Sequence, residues 1–303
     1  MSAAWIWSGL PERPRAWRPV QRVAAGLLGS DAEARWLVEE AAGGPWPAVF
    51  DAPVAARSYR HLAALLERRL AGEPIQYVLG HWAFRRLDLL VDRRVLIPRP
   101  ETEQVVEVAL GELDGLAAPA GSTSGQGGRL VAVDLGTGSG AIALSLVAER
   151  LHVDVWAVDS SPAAVEVASA NASGLAGSAA TRVRVVAGWW WSALPASLAG
   201  GVHLAVSNPP YVTTAEMASL DPGVVGWEPR TALEAGAGGL EDLSAILSEA
   251  PRWLAPGGVI VIEIAPHQAA EARALATGAG LVDVDIRPDL AGRDRALVAH
   301  RPG

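Results

Sequence analysis

From Arg129 to the C-terminus, short runs rich in β-branched residues alternate with segments of helical character. This alternation constrains the fold more than any other feature of the chain. Strand-like runs fall at 131–133, 153–158, 183–186, 204–206, 259–264, 282–286 and 296–300, with helices expected at 141–148, 162–173 and 268–276. Parallel strands need long crossover connections, usually helices. The pattern therefore predicts an α/β domain of Rossmann-like form, a mostly parallel sheet covered by helices on both faces. In such a fold, ligands bind in the crevice beyond the carboxyl ends of the strands.

Upstream, Ala34, Leu37, Val38 and Ala41, then Leu62, Leu65, Leu66 and Leu70, recur at helical spacing. They predict a small helical domain over residues 1–79, either a structural cap or a partner-docking module. Residues 80–100 read as a β-hairpin or extended linker: Phe84, Leu87, Leu89 and Val91 partly alternate with polar residues, and Val95, Leu96 and Ile97 precede Pro98. A helix is expected from Pro100, with Glu101 and Glu103 in its first turn, where acids suit the helix dipole. The α/β domain then occupies residues 101–303, with a loop at 119–128.

Composition narrows the chemistry. Without cysteine the chain has no disulfide, thiolate metal site or cysteine nucleophile. Its six histidines lack metal-ligand spacing, so no metal is expected. A net charge of −8 argues against a protein whose main task is gripping nucleic acid, and the absence of lysine reads as composition bias. No apolar run nears the ~20 residues of a membrane span. Trp5, Ile6 and Trp7 are soon followed by Pro11, Glu12, Arg13 and Pro14, unlike a signal peptide. A soluble cytoplasmic protein without membrane attachment is expected.

The first chemical motif is Asp134-Leu135-Gly136-Thr137-Gly138-Ser139-Gly140, directly after the first strand of the α/β domain. Glycines there let the chain turn sharply and a ligand approach without Cβ clashes. Asp159 follows the second strand, 23 residues after Gly136, where an acid can accept hydrogen bonds from ribose hydroxyls. The pair predicts an adenosine-containing cofactor. Gly136, Gly138 and Ala141 also satisfy the dinucleotide pattern, which keeps an NAD-dependent oxidoreductase in contention. Asp134 points elsewhere. A carboxylate is awkward beside a pyrophosphate and suits the α-ammonium of S-adenosylmethionine, unless it only caps the turn.

The second motif, Asn208-Pro209-Pro210-Tyr211, follows the fourth strand. An amide or exocyclic amine is a poor nucleophile, so the protein must position and polarise it. The Asn208 side-chain oxygen can accept one N–H and the Pro209 carbonyl the other. Neither proline has an N–H to compete, and both have fixed φ. Tyr211 offers a flat face to a planar group.

Together these segments resemble the protein-glutamine N5-methyltransferases called PrmC or HemK, which modify class I peptide chain release factors. The likeness runs from about Gly72 to Arg295. It includes Gly72-Glu73-Pro74-Ile75-Gln76-Tyr77-Val78-Leu79-Gly80, Ile97-Pro98-Arg99-Pro100-Glu101-Thr102-Glu103, both motifs above, Glu228-Pro229 with Ala232-Leu233, and Gly292-Arg293-Asp294-Arg295. The resemblance implies a helical N-terminal domain, a β-hairpin linker and a seven-stranded class I methyltransferase domain. It implies S-adenosylmethionine as cofactor, held by Gly136, Thr137, Gly138, Ser139, Gly140, Asp159, Trp190 and Asn208. It also implies that the glutamine of the release factors' Gly-Gly-Gln motif docks on Asn208, Pro209, Pro210 and Tyr211. Two departures stand out: Trp189 replaces a common acid expected near the adenine amine, and Gly226 replaces a common basic residue.

Two further readings share this chemistry. A DNA adenine presents the same two N–H groups, and a ribosomal-protein glutamine is an alternative amide. Glu263, His267 and Gln268 read either as pocket lining or as satisfied polar groups at a strand end. Arg99, Arg293 and Arg295 are candidates for holding acids across the domain junction or contacting the substrate chain, with solvated charge as the alternative.

Overall fold

The computed structural model describes residues 14–116 and 128–303. Residues 5–13 and the expected loop at 119–127 lie outside the described residues. The chain divides into two compact units, meeting at His81 and Trp82.

The first unit is helical: α1 (Trp17–Leu28), α2 (Asp31–Ala42), α3 (Trp46–Val49), α4 (Ala56–Leu70) and α5 (Ile75–Leu79). Ser30 starts α2 by accepting the Glu33 N–H at 3.2 Å, satisfying a backbone donor that the first turn leaves free. Trp17, Leu37, Leu62 and Leu66 form the buried centre. Every residue of the expected helical stripes is buried here except Leu70, which is half-buried. Arg68 closes the unit's C-terminal turn by pairing with Glu73 at 2.6 Å and donating to the carbonyls of Tyr77 and Val78.

Strands β1 (His81–Phe84) and β2 (Leu87–Leu90) form a hairpin. Residues 91–99 form no strand, so the expected β character of Val95, Leu96 and Ile97 is corrected. Val95 and Ile97 are buried nonetheless, and apolarity alone produced the strand-like signal. The next helix is α6 (Pro100–Gly115), beginning where expected. The hairpin is no loose linker. Arg85 at its turn binds Glu149 at 2.6 and 2.9 Å and Glu107 at 2.8 Å.

Beyond it run β3 (Leu130–Leu135), α7 (Ala141–Glu149), β4 (Val153–Asp159), α8 (Pro162–Ser173), β5 (Val183–Ala187), β6 (Val202–Ser207), α9 (Glu241–Trp253), β7 (Leu254–Glu263), α10 (Ala269–Gly278), β8 (Val282–Pro288) and β9 (Asp294–His300). The seven strands lie in the order β5-β4-β3-β6-β7-β9-β8. Within this sheet β9 runs opposite to the other six strands. Chain order reverses direction between β3 and β6, which opens a crevice beyond their carboxyl ends. Among the described residues, no helix is long and apolar enough to cross a membrane.

The core on one side of the sheet is built around an aromatic pair. Trp191 is fully buried, stacks on Trp253 with centroids 6.0 Å apart and planes 9° from parallel, and donates its indole N–H to the Ile246 carbonyl at 2.9 Å. Trp191→Ala should destabilise the second unit by about 3–5 kcal/mol through the cavity it leaves. Urea titration followed by circular dichroism should show this as a lower unfolding midpoint.

Candidate active site

The site begins as a matter of register. Leu135 of β3 pairs with Val158 of β4 on one side and with Ser207 of β6 on the other. The next residues along the three strands are Gly136, Asp159 and Asn208. Adjacent strands are about 4.8 Å apart, so both motifs and the acid lie side by side at this edge of the sheet. Ser207 tightens the junction by donating its hydroxyl to the Leu135 carbonyl at 2.6 Å. Beyond these ends lies a cleft of about 460 Å³, lined by Gly136, Gly138, Asp159, Trp189, Trp190, Asn208, Pro210, Pro229 and Asp242, among others.

The glycine loop is shaped by its backbone. Gly136 has φ +79° and Gly138 φ +55°, both in the left-handed region that L side chains avoid. A Cβ on Gly136 would also come within 3.1 Å of the Trp190 ring. Asp159 anchors the loop: one carboxylate oxygen accepts the Gly138 N–H at 2.8 Å, the other the Ser161 N–H at 2.9 Å. A carboxylate offers about four acceptor positions, so capacity for ligand hydroxyls remains. Burial raises the Asp159 pKa, while these two N–H groups oppose the shift.

Several expected contacts lie behind the cleft instead of in it. Asp134 is completely buried and accepts the Thr137 hydroxyl at 2.6 Å and the Ala143 N–H at 3.0 Å. Its other oxygen is buried without a hydrogen-bond partner, and burial pushes its carboxyl up to about 7. Through these two bonds the carboxylate ties the loop to the start of α7. Thr137 and Ser139 are buried in the same turn, and the Ser139 carbonyl accepts the Asn171 amide at 2.8 Å. Gly140 caps α7. Pro209 is buried and Tyr211 half-buried. The Tyr211 carbonyl accepts from Gln268 at 3.3 Å, and burial pushes its phenol up to about 12.

The three consecutive tryptophans separate cleanly. Trp191 belongs to the core, Trp190 forms the cleft wall beside Gly136, and Trp189 is 58% exposed and also borders the cleft. Trp190 holds φ +44°, a strained value for a bulky residue. Asp242, at the start of α9, lines the cleft beside them. Burial raises its pKa, opposed by the Trp190 indole.

The three arginines hold acids within the second unit. Arg99 pairs with buried Glu228, Arg293 with Asp289 and Glu101, and Arg295 with Asp289. Glu263 is buried behind the cleft and accepts the Thr102 hydroxyl at 2.7 Å; Thr102 in turn accepts the Asn208 amide at 3.2 Å. Thr102 and Asn171 were not foreseen as site residues. Both are short polar side chains whose partners lie far away in sequence, and neither carries a local signal. Among the described residues, no cluster of side chains suits a metal ion.

Asp134 also sets a pH dependence. Its carboxyl sits near 3.8 when unfolded and about 7 when folded. The folded state therefore holds an extra proton between these values, so stability falls as pH rises from about 4 to about 7. Comparing urea midpoints at pH 5 and pH 7.5, wild type should lose more stability than Asp134→Asn across this interval.

Comparison with known proteins places these features in a family. A family model described as PrmC N-terminal domain matches residues 23–80, and the Methyltransferase small domain model matches 125–220. A release factor glutamine methyltransferase from Rhodospirillum rubrum is 37% identical over 290 residues, covering 96% of this chain and 80% of its own. One from Bordetella pertussis is 44% identical over 269 residues, covering 87% and 92%. The hMettl16 catalytic domain, solved in complex with MAT2A 3'UTR hairpin 1, shares the fold alone, with TM-score 0.54, 15% identity and 80% coverage of each chain. With relatives this similar along nearly its whole length, the chain belongs to the release factor glutamine methyltransferase family.

Proposed function

We propose that this protein transfers a methyl group from S-adenosylmethionine to the side-chain amide nitrogen, N5, of the glutamine in the Gly-Gly-Gln motif of class I peptide chain release factors. The observation that carries this is the placement of Gly136, Asp159 and Asn208 at the carboxyl ends of β3 and its two neighbours β4 and β6, around one cleft. Support for the substrate comes from relatives named release factor glutamine methyltransferase.

The residues present fit the methyl donor. Asp159 retains acceptor capacity for ribose hydroxyls, Gly136 and Gly138 leave room for close approach, and Trp190 provides a flat wall. Asp134, Thr137, Ser139 and Gly140 would act indirectly, by holding that loop in shape. When bound, the donor supplies an electrophilic methyl carbon on a sulfonium leaving group. The chain's own task is then to hold the amide. Asn208 would accept one amide N–H through its side-chain oxygen and Pro209 the other through its carbonyl, with Pro210 and Tyr211 bracing the turn. Positioned dipoles of this kind can carry much of a rate enhancement without a strong base, and the nitrogen releases one N–H proton to solvent as or after the new N–C bond forms. The helical first unit would dock the protein substrate, and the reaction would take place in the cytoplasm, where translation terminates.

The test is methyl transfer to a purified class I release factor, with the modified residue located by mass spectrometry and duplex DNA as the competing acceptor. Asn208→Ala should keep its affinity for S-adenosylmethionine while turnover falls by about 100-fold or more. Asp159→Ala should weaken that affinity, measured by calorimetry. Undiminished turnover in Asn208→Ala, or methyl transfer to DNA in place of the glutamine, would defeat the assignment.

A further inference from the structure

Asn208 could present either of two faces to the cleft. The oxygen and nitrogen of a primary amide are nearly the same size, so shape alone does not decide between them. Only one orientation can receive an N–H. If the amide turned over, its NH₂ would face another NH₂, and the acceptor would be lost.

The structure contains a device that chooses. The Asn208 NH₂ donates to Thr102 Oγ1 at 3.2 Å, and that hydroxyl donates its proton to Glu263 Oε2 at 2.7 Å. Thr102 lies in the first turn of α6 and Glu263 at the end of β7, both buried. A hydroxyl has one proton. Once that proton is committed to a carboxylate, only lone pairs remain toward Asn208, and lone pairs attract NH₂ and repel a carbonyl oxygen. We infer that Glu263 and Thr102 are positioning residues that fix the polarity of the Asn208 amide, leaving its oxygen free for the incoming amide N–H. The inference rests on the reading of Asn208 as the substrate's acceptor and says what holds it in that role.

The relay depends on the carboxylate accepting. Glu263 is faced by Arg295 of β9, by Arg99 and Glu101 at the start of α6, and by the Tyr211 phenol. Burial pushes its carboxyl up to about 7. A protonated Glu263 can instead donate to Thr102, whose proton is then released toward Asn208, and the preferred amide orientation reverses.

The experiment measures kcat and KM on a purified release factor, together with S-adenosylmethionine affinity, for wild type, Asn208→Ala, Thr102→Val, Thr102→Ser and Glu263→Gln. Thr102→Val should lower kcat by about tenfold or more, with cofactor affinity preserved, and Thr102→Ser should restore kcat to within about threefold of wild type. Wild-type kcat should fall as pH drops below about 7, and Glu263→Gln should abolish that fall. If wild type modifies glutamine and Asn208→Ala does not, yet Thr102→Val keeps its kcat, the relay is overturned while the proposed function stands. If wild type modifies no glutamine, it is the functional reading that fails. Should Thr102→Val not fold by circular dichroism, the Glu263→Gln pH profile decides: loss of the acid limb supports the relay, and an unchanged limb overturns it.

Discussion

The lateral pairing of β4, β3 and β6 is the constraint on which the rest of the second unit depends. Val158, Leu135 and Ser207 lie level with one another near the ends of these strands, and the residues after them carry the chemistry. A slip of one residue would turn every side chain of the strand to the opposite face of the sheet. It would also move Asp159 or Asn208 by about 3.3 Å along the strand axis. Backbone pairing in the core therefore sets the spacing between the two motifs, and the loops only refine it. The Ser207 bond to Leu135 reinforces this alignment where strand pairing ends.

Around that alignment the protein places its carboxylates in two tiers. Asp159 borders the cleft, with each oxygen anchored by a backbone N–H. Asp134 and Glu263 lie behind it, each buried and each bonded to a threonine hydroxyl. Buried carboxylates are expensive unless hydrogen-bonded, so their presence marks places where local geometry has been held at some expense of stability. One shapes the glycine loop and the other stands behind Asn208.

Much of this organisation was legible in the residues. Strands at regular intervals, a glycine turn and an acid at the end of the next strand specify a doubly wound sheet and the edge where ligands gather. Other features were hidden for physical reasons. Helix α9 has Leu243, Ile246, Leu247 and Ala250 at helical spacing, but it follows a glycine-rich stretch and contains Pro251, which masked it. Val95 and Ile97 looked strand-like because burial, not pairing, selects their apolarity. The inward turn of Asp134 is set by Thr137 and by the first turn of α7, contacts that spacing does not announce. Thr102 meets Asn208 and Glu263 across 106 and 161 residues of chain, a meeting that only the folded sheet creates.

Asn171 has a mechanical consequence. Its amide accepts the Leu90 N–H at 2.8 Å, donates to the Leu90 carbonyl at 3.0 Å and donates to the Ser139 carbonyl at 2.8 Å. One side chain on α8 thus pins the last residue of the hairpin and the glycine loop at once. Neither segment can slide without tearing a bond from the same group, so the two behave as linked parts of one frame: slack introduced at the hairpin is transmitted to the floor of the cleft.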